Sequence, residues 1–90
     1  ELYLSIGKEE NRLAMYLQDE MKKLGYKFFS DSKTNQIFPI VDYDTYLKLE
    51  KEFGVELWSN LDNNLVVIRF VCGFETKMED CIDVIKFLKM

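Results

Sequence analysis

The chain contains no histidine. That absence removes the commonest general base, the imidazole of most nucleophile triads and the usual nitrogen ligand of zinc sites. Cysteine is almost as scarce: Cys72 and Cys81 stand nine apart with no CxxC pair. The usual zinc and redox spacings are thereby excluded, leaving two buried free thiols in a reducing compartment as the expectation. Only two of the twelve basic residues are arginines, Arg12 and Arg69, and the lysines are interleaved with sixteen acids for a net charge of −4. Nucleic acid is not the expected partner of such a surface. The four glycines, Gly7, Gly25, Gly54 and Gly73, are isolated, so no glycine-rich phosphate loop exists. No apolar run approaches the roughly 18 residues needed to cross a bilayer, and the N-terminus lacks the basic, apolar, small-residue order of a signal peptide. The expectation is a soluble cytoplasmic domain with no metal and no membrane contact.

What is present is apolar mass. Of the 90 residues, 48% are hydrophobic and 14% aromatic, enough for one core, though a thin one that gains from a partner. The chain opens on Glu1-Leu2-Tyr3 without an initiator methionine, which fits a piece of something larger. Residues 1–90 are therefore read as a single small domain.

Apolar residues Leu13, Ala14, Leu17, Met21 and Leu24 fall at helical spacing, predicting a helix from about Lys8 to Leu24 that Gly25 stops. Tyr26 to Ser30 reads as a short strand and Asn35 to Val41 as a second, in which Pro39 demands an edge, a bulge or an unpaired N–H, so that strand is expected to be exposed on at least one side. Asp42 or Asp44 caps a helix carrying Tyr43, Tyr46, Leu47 and Phe53, ended by Gly54. Val55 to Ser59 is the third strand, Asn60 to Asn64 a hairpin turn, and Leu65 to Cys72 the central strand. Thr76-Lys77-Met78-Glu79 has the form of a capping box for a last helix with Met78, Cys81, Ile82, Ile85 and Leu88 on one face. The order αββαββα implies an α+β fold, a mostly antiparallel four-stranded sheet with helices packed on one face.

Arg69 is the residue that does not fit a purely structural reading. It lies inside the run Leu65-Val66-Val67-Ile68-Arg69-Phe70-Val71-Cys72, where a cation costs several kcal/mol unless an anion or water meets it. Alternation points Leu65, Val67, Arg69 and Val71 to one face and Val66, Ile68, Phe70 and Cys72 to the other. Two readings stand side by side: pairing with Glu56 or Asp62 of the adjacent hairpin, or snorkelling to water, against a fork that grips a carboxylate. Elsewhere the bland readings prevail. Cys72 is core rather than nucleophile, Asp31, Asp42, Asp44 and Asp62 serve turns and caps, and Trp58 and the tyrosines pack in the core or an interface.

Asn11-Arg12-Leu13-Ala14, the helix end Leu24-Gly25-Tyr26, Thr34-Asn35-Gln36-Ile37-Phe38-Pro39-Ile40, Trp58, Ile68-Arg69-Phe70-Val71 and Glu75-Thr76-Lys77-Met78-Glu79-Asp80 together resemble the C-terminal segment of threonine aldolases. These belong to the threonine aldolase and aromatic amino acid β-eliminating lyase group of fold-type I pyridoxal-phosphate enzymes. Cys72-Gly73-Phe74 departs from the pattern, which is expected to carry a hydroxyl residue, a polar or small residue and often tryptophan there. The resemblance implies an aminotransferase-like small domain, with pyridoxal 5′-phosphate and its Schiff-base lysine in a large domain of the same chain. It also implies that Arg69 binds the α-carboxylate of an amino-acid substrate, that this segment holds no catalytic or cofactor residue, and that the full enzyme is a homodimer or homotetramer. The expected reaction is cleavage of threonine to glycine and acetaldehyde, a carbon-carbon lyase activity absent from the 90 residues alone. A β-eliminating lyase or aminotransferase shares the same grip, and a stand-alone interaction module is the reading from another class.

Overall fold

The computed structural model describes residues 2–73 and 75–90, with side chains described from residue 8 onward. Phe74, part of the Cys72-Gly73-Phe74 departure, and Glu1 lie outside the described residues. The elements are α1 (Leu2–Lys23), β1 (Lys27–Phe28), β2 (Gln36–Ile37), β3 (Pro39–Asp42), α2 (Tyr43–Phe53), β4 (Glu56–Asn60), β5 (Leu65–Val71) and α3 (Met78–Lys89). The α+β class and the antiparallel sheet are as expected.

All strand pairs are antiparallel, and β5 is bonded to β2, β3 and β4. β2 and β3 meet β5 in one shared register, from Gln36 opposite Val71 to Asp42 opposite Leu65. They are thus two halves of a single strand, and with that count the order αββαββα is found. The interruption has a cause in the backbone. The Phe38 carbonyl accepts from Phe29 N–H on the β1 side, so the next residue along, Pro39, directs its absent N–H toward β5. The ladder breaks there without losing register. The expected exposure of this strand is corrected: β3 has β1 on one side and β5 on the other, and Pro39 is fully buried.

The helices cover one face only. Leu13, Ala14, Leu17 and Met21 of α1, Leu49 of α2, and Cys81, Val84 and Ile85 of α3 share a core with Val66, Ile68, Phe70, Cys72, Ile37 and Val41. The α1 helix starts at Leu2, earlier than the apolar stripe from Lys8 implied. It ends in a left-handed Gly25 (φ 98°), with Gly25 N–H bonded to the Lys22 carbonyl and Tyr26 N–H to the Met21 carbonyl, a pairing that satisfies carbonyls the last turn would leave open. In α2 the buried position is Leu49, while Leu47 faces water. The capping box of α3 is displaced by one residue: Asp80 Oδ2 accepts from Lys77 N–H at 2.8 Å, and the Thr76 hydroxyl instead accepts from Gly73 N–H at 2.9 Å, closing the turn out of β5. Among the described residues, no helix is long and apolar enough to cross a membrane.

The α2 helix shows its cap most plainly. Asp42 Oδ1 accepts from Thr45 N–H at 2.8 Å, and at the other end Gly54 (φ 72°) donates to the Glu50 carbonyl. Hydrogen bonding from Thr45, through its side chain and its amide, holds the Asp42 carboxyl below the usual range. A depressed folded-state pKa gives stability that is present above the ordinary aspartate range and is lost as pH falls through the folded value. Asp42→Ala is expected to cost about 1 kcal/mol at neutral pH, and Asp42→Asn to keep most of the cap while removing its acid sensitivity. Urea unfolding at neutral and acidic pH measures both.

Candidate functional site

The face of the sheet away from the helices carries the odd-numbered positions of β5. Val67 on it is 0% exposed, flanked across the strands by Ile40 and Ser59, while Leu65 and Val71 lie open. The register common to β2 and β3 sets Phe38 opposite Arg69, and beyond Phe38 stands Phe29, 60% exposed. The sheet therefore presents a partly apolar, uncovered surface with one cation at its centre. A group of three or more residues able to hold a metal is absent among the described residues.

The environment of Arg69 is set by an irregularity in β4. Asn60 and Ser59 pair with Val66 and Val67, but Leu57 and Glu56 pair with Ile68 and Arg69, so Trp58 is an extra residue, a β-bulge. The hairpin turn that starts this register is tight: Asn63 and Asn64 both adopt left-handed backbone (φ 61° and 64°), and Leu65 N–H bonds to the Asp62 carbonyl. Without the bulge, Leu57 would lie beside Arg69. With it, Glu56 does.

Two groups meet the guanidinium. Glu56 Oε2 accepts from Nη2 at 2.6 Å. The Trp58 ring lies 5.3 Å from Cζ and 5.2 Å from the Phe38 ring, so the cation sits against an aromatic face that is itself held. Nε is buried without a hydrogen-bond partner, and the side chain as a whole remains 26% exposed. A small cavity of about 110 Å³ runs beside it, walled by Phe53, Gly54, Val55, Glu56, Phe70 and Val71. Of the two readings of Arg69 drawn from the sequence, the pairing with Glu56 is present, and the fork is nonetheless only partly engaged. Trp58 is 51% exposed rather than core. Its place over the cation had no signal in the sequence, because the bulge that puts it there is a property of strand register.

The remaining chemistry is sparse. Cys72 and Cys81 are free and buried, as expected, and both line a cavity of about 340 Å³ on the helix side. The neighbouring Cys81 side chain, and then burial, push the Cys72 thiol up, away from the thiolate a nucleophile needs. All ten lysines are exposed, whereas a lysine that forms a Schiff base is activated by desolvation or a neighbouring cation. These residues, lacking also a phosphate cradle, do not fit a seat for pyridoxal phosphate. What the site holds is one carboxylate, that of Glu56, on one nitrogen of the Arg69 guanidinium.

No protein-family model matches the chain, and a search of curated proteins finds no match. Among solved structures, the threonine aldolase of Leishmania major superposes with a TM-score of 0.91 at 23% identity, over 98% of this chain and 26% of that one. The chain has a threonine aldolase-like fold and spans about a quarter of the length of that enzyme.

Because Nε is buried unpaired and the Glu56 contact is largely exposed, the Arg69 group contributes little to folding. Arg69→Met is expected to leave the unfolding free energy within about 1 kcal/mol of the native value, or to raise it. A loss of more than about 3 kcal/mol in urea titration would show the pair to be structural.

Proposed function

We propose that residues 1–90 are the small domain of a fold-type I pyridoxal-phosphate lyase that cleaves the Cα–Cβ bond of a β-hydroxy amino acid, threonine to glycine and acetaldehyde, and that Arg69 binds the substrate α-carboxylate. The observation that carries this reading is an incompletely paired guanidinium on the uncovered face of a sheet whose fold is shared with a threonine aldolase. A planar fork holding two carboxylate oxygens fixes the substrate in rotation as well as position. It thereby sets which bond at Cα stands ready to break.

Since the cofactor finds no seat among these residues, it belongs to a large domain of the same chain. Phe29, Trp58, Leu65 and Val71, exposed around Arg69, supply the surface for that domain or for a second subunit in a homodimer or homotetramer. Cation, aromatic cover and apolar rim then form one wall of a site completed from outside. Alone, the 90 residues are inactive.

In the full-length protein, Arg69→Lys exchanges the fork for a point charge and is expected to raise KM by about thirtyfold, the loss of about 2 kcal/mol that a charged hydrogen bond represents. Turnover of L-threonine, L-allo-threonine, L-tyrosine and an amino donor distinguishes the chemistry, and transamination without retro-aldol cleavage would reject it. Mixed with pyridoxal phosphate, the isolated 90 residues are expected to show no stoichiometric Schiff-base absorbance.

A further inference from the structure

We propose that Glu56 is a built-in competitor for Arg69, holding the guanidinium while no ligand is present and giving way to an incoming α-carboxylate. This rests on the carboxylate grip proposed above. An arginine has five N–H donors, but Nε is buried, so the reachable fork is Nη1 with Nη2, and Glu56 holds Nη2 of it through one oxygen. Its side chain is 59% exposed and its carboxylate accepts from no other side chain among the described residues, so only the cation holds it in place.

The position of Glu56 makes the exchange cheap. It stands on β4, which among the described residues pairs with β5 alone, and directly across from Arg69, so both side chains project from the same face. On release, Glu56 swings into water without disturbing the core. The guanidinium remains against the Trp58 ring at 5.3 Å, so what is exchanged is the anion and not the arginine. An exposed ion pair is weak, whereas an α-carboxylate meeting two donors of a guanidinium already seated against the Trp58 ring gains strength from geometry and from the loss of water.

The carboxylate of Glu56 also cancels the local positive charge. A ligand that offers only a dipole, or only one oxygen, gains too little to displace it. Glu56 thus raises the threshold for occupancy and favours ligands that bring a full, two-oxygen anion.

The test uses the full-length protein with its cofactor. Glu56→Gln retains the size of the side chain and an acceptor oxygen but removes the charge. KM for the amino-acid substrate and Ki for a non-reacting amino acid are expected to fall about threefold, the scale of an exposed ion pair, while Ki for the corresponding amino amide stays unchanged. A merely structural role would weaken binding instead, so an unchanged or raised KM in Glu56→Gln overturns the proposal. Arg69→Lys is measured beside it. If that variant raises KM and Glu56→Gln fails to lower it, the grip stands and the competitor does not; if Arg69→Lys leaves KM unmoved, the grip itself is wrong and the inference falls with it.

Discussion

The pairing of β5 with strands on both its sides is the constraint from which the other features follow. Because strand side chains alternate, a slip of one residue would turn the whole hydrophobic set of a strand to the wrong face. Val66, Ile68 and Phe70 are buried against the helices, and each such side chain contributes on the order of 1.5–3 kcal/mol. That burial locks the register, and the locked register delivers Arg69 to the opposite face as a necessary by-product. Even the missing donor of Pro39 is absorbed without a shift, since β2 and β3 keep the same alignment on either side of it.

Much of the fold was legible in the residues because it depends on local chemistry. Asp42 caps, Gly25 and Gly54 stop helices, and the alternation of β5 separates its two faces with no knowledge of neighbours. Other features depend on contacts that override the local signal. Thr76 with Glu79 has the form of a capping box, yet the Thr76 hydroxyl is taken by Gly73 N–H and Asp80 accepts from the Lys77 amide one residue on. The stripe read over α2 included Leu47, which is exposed, and packing on the sheet buries Leu49 instead.

The partner of Arg69 lies between these cases. Glu56 was among the acids within reach, but counting back from the hairpin turn in an unbroken ladder reaches Leu57. One inserted residue, Trp58, changes the answer and supplies the aromatic cover at the same time. The fold itself is far more widely shared than any chemistry placed on it. The functional reading therefore rests on this small cluster, a cation with spare donors on the uncovered face of the sheet.

The bulge also bears on how the sheet meets other sheets. β4 is exposed along its whole length and, among the described residues, pairs on one side only, leaving the kind of edge on which a stray strand can add and aggregation can begin. A continuous, flat run from Glu56 to Asn60 would offer regularly spaced backbone donors and acceptors to such a strand. The extra residue at Trp58 disturbs that spacing and increases the local twist, and the charge of Glu56 beside it makes a dry second layer costly. The irregularity that composes the surroundings of Arg69 thus also makes this edge a poor template for a second strand.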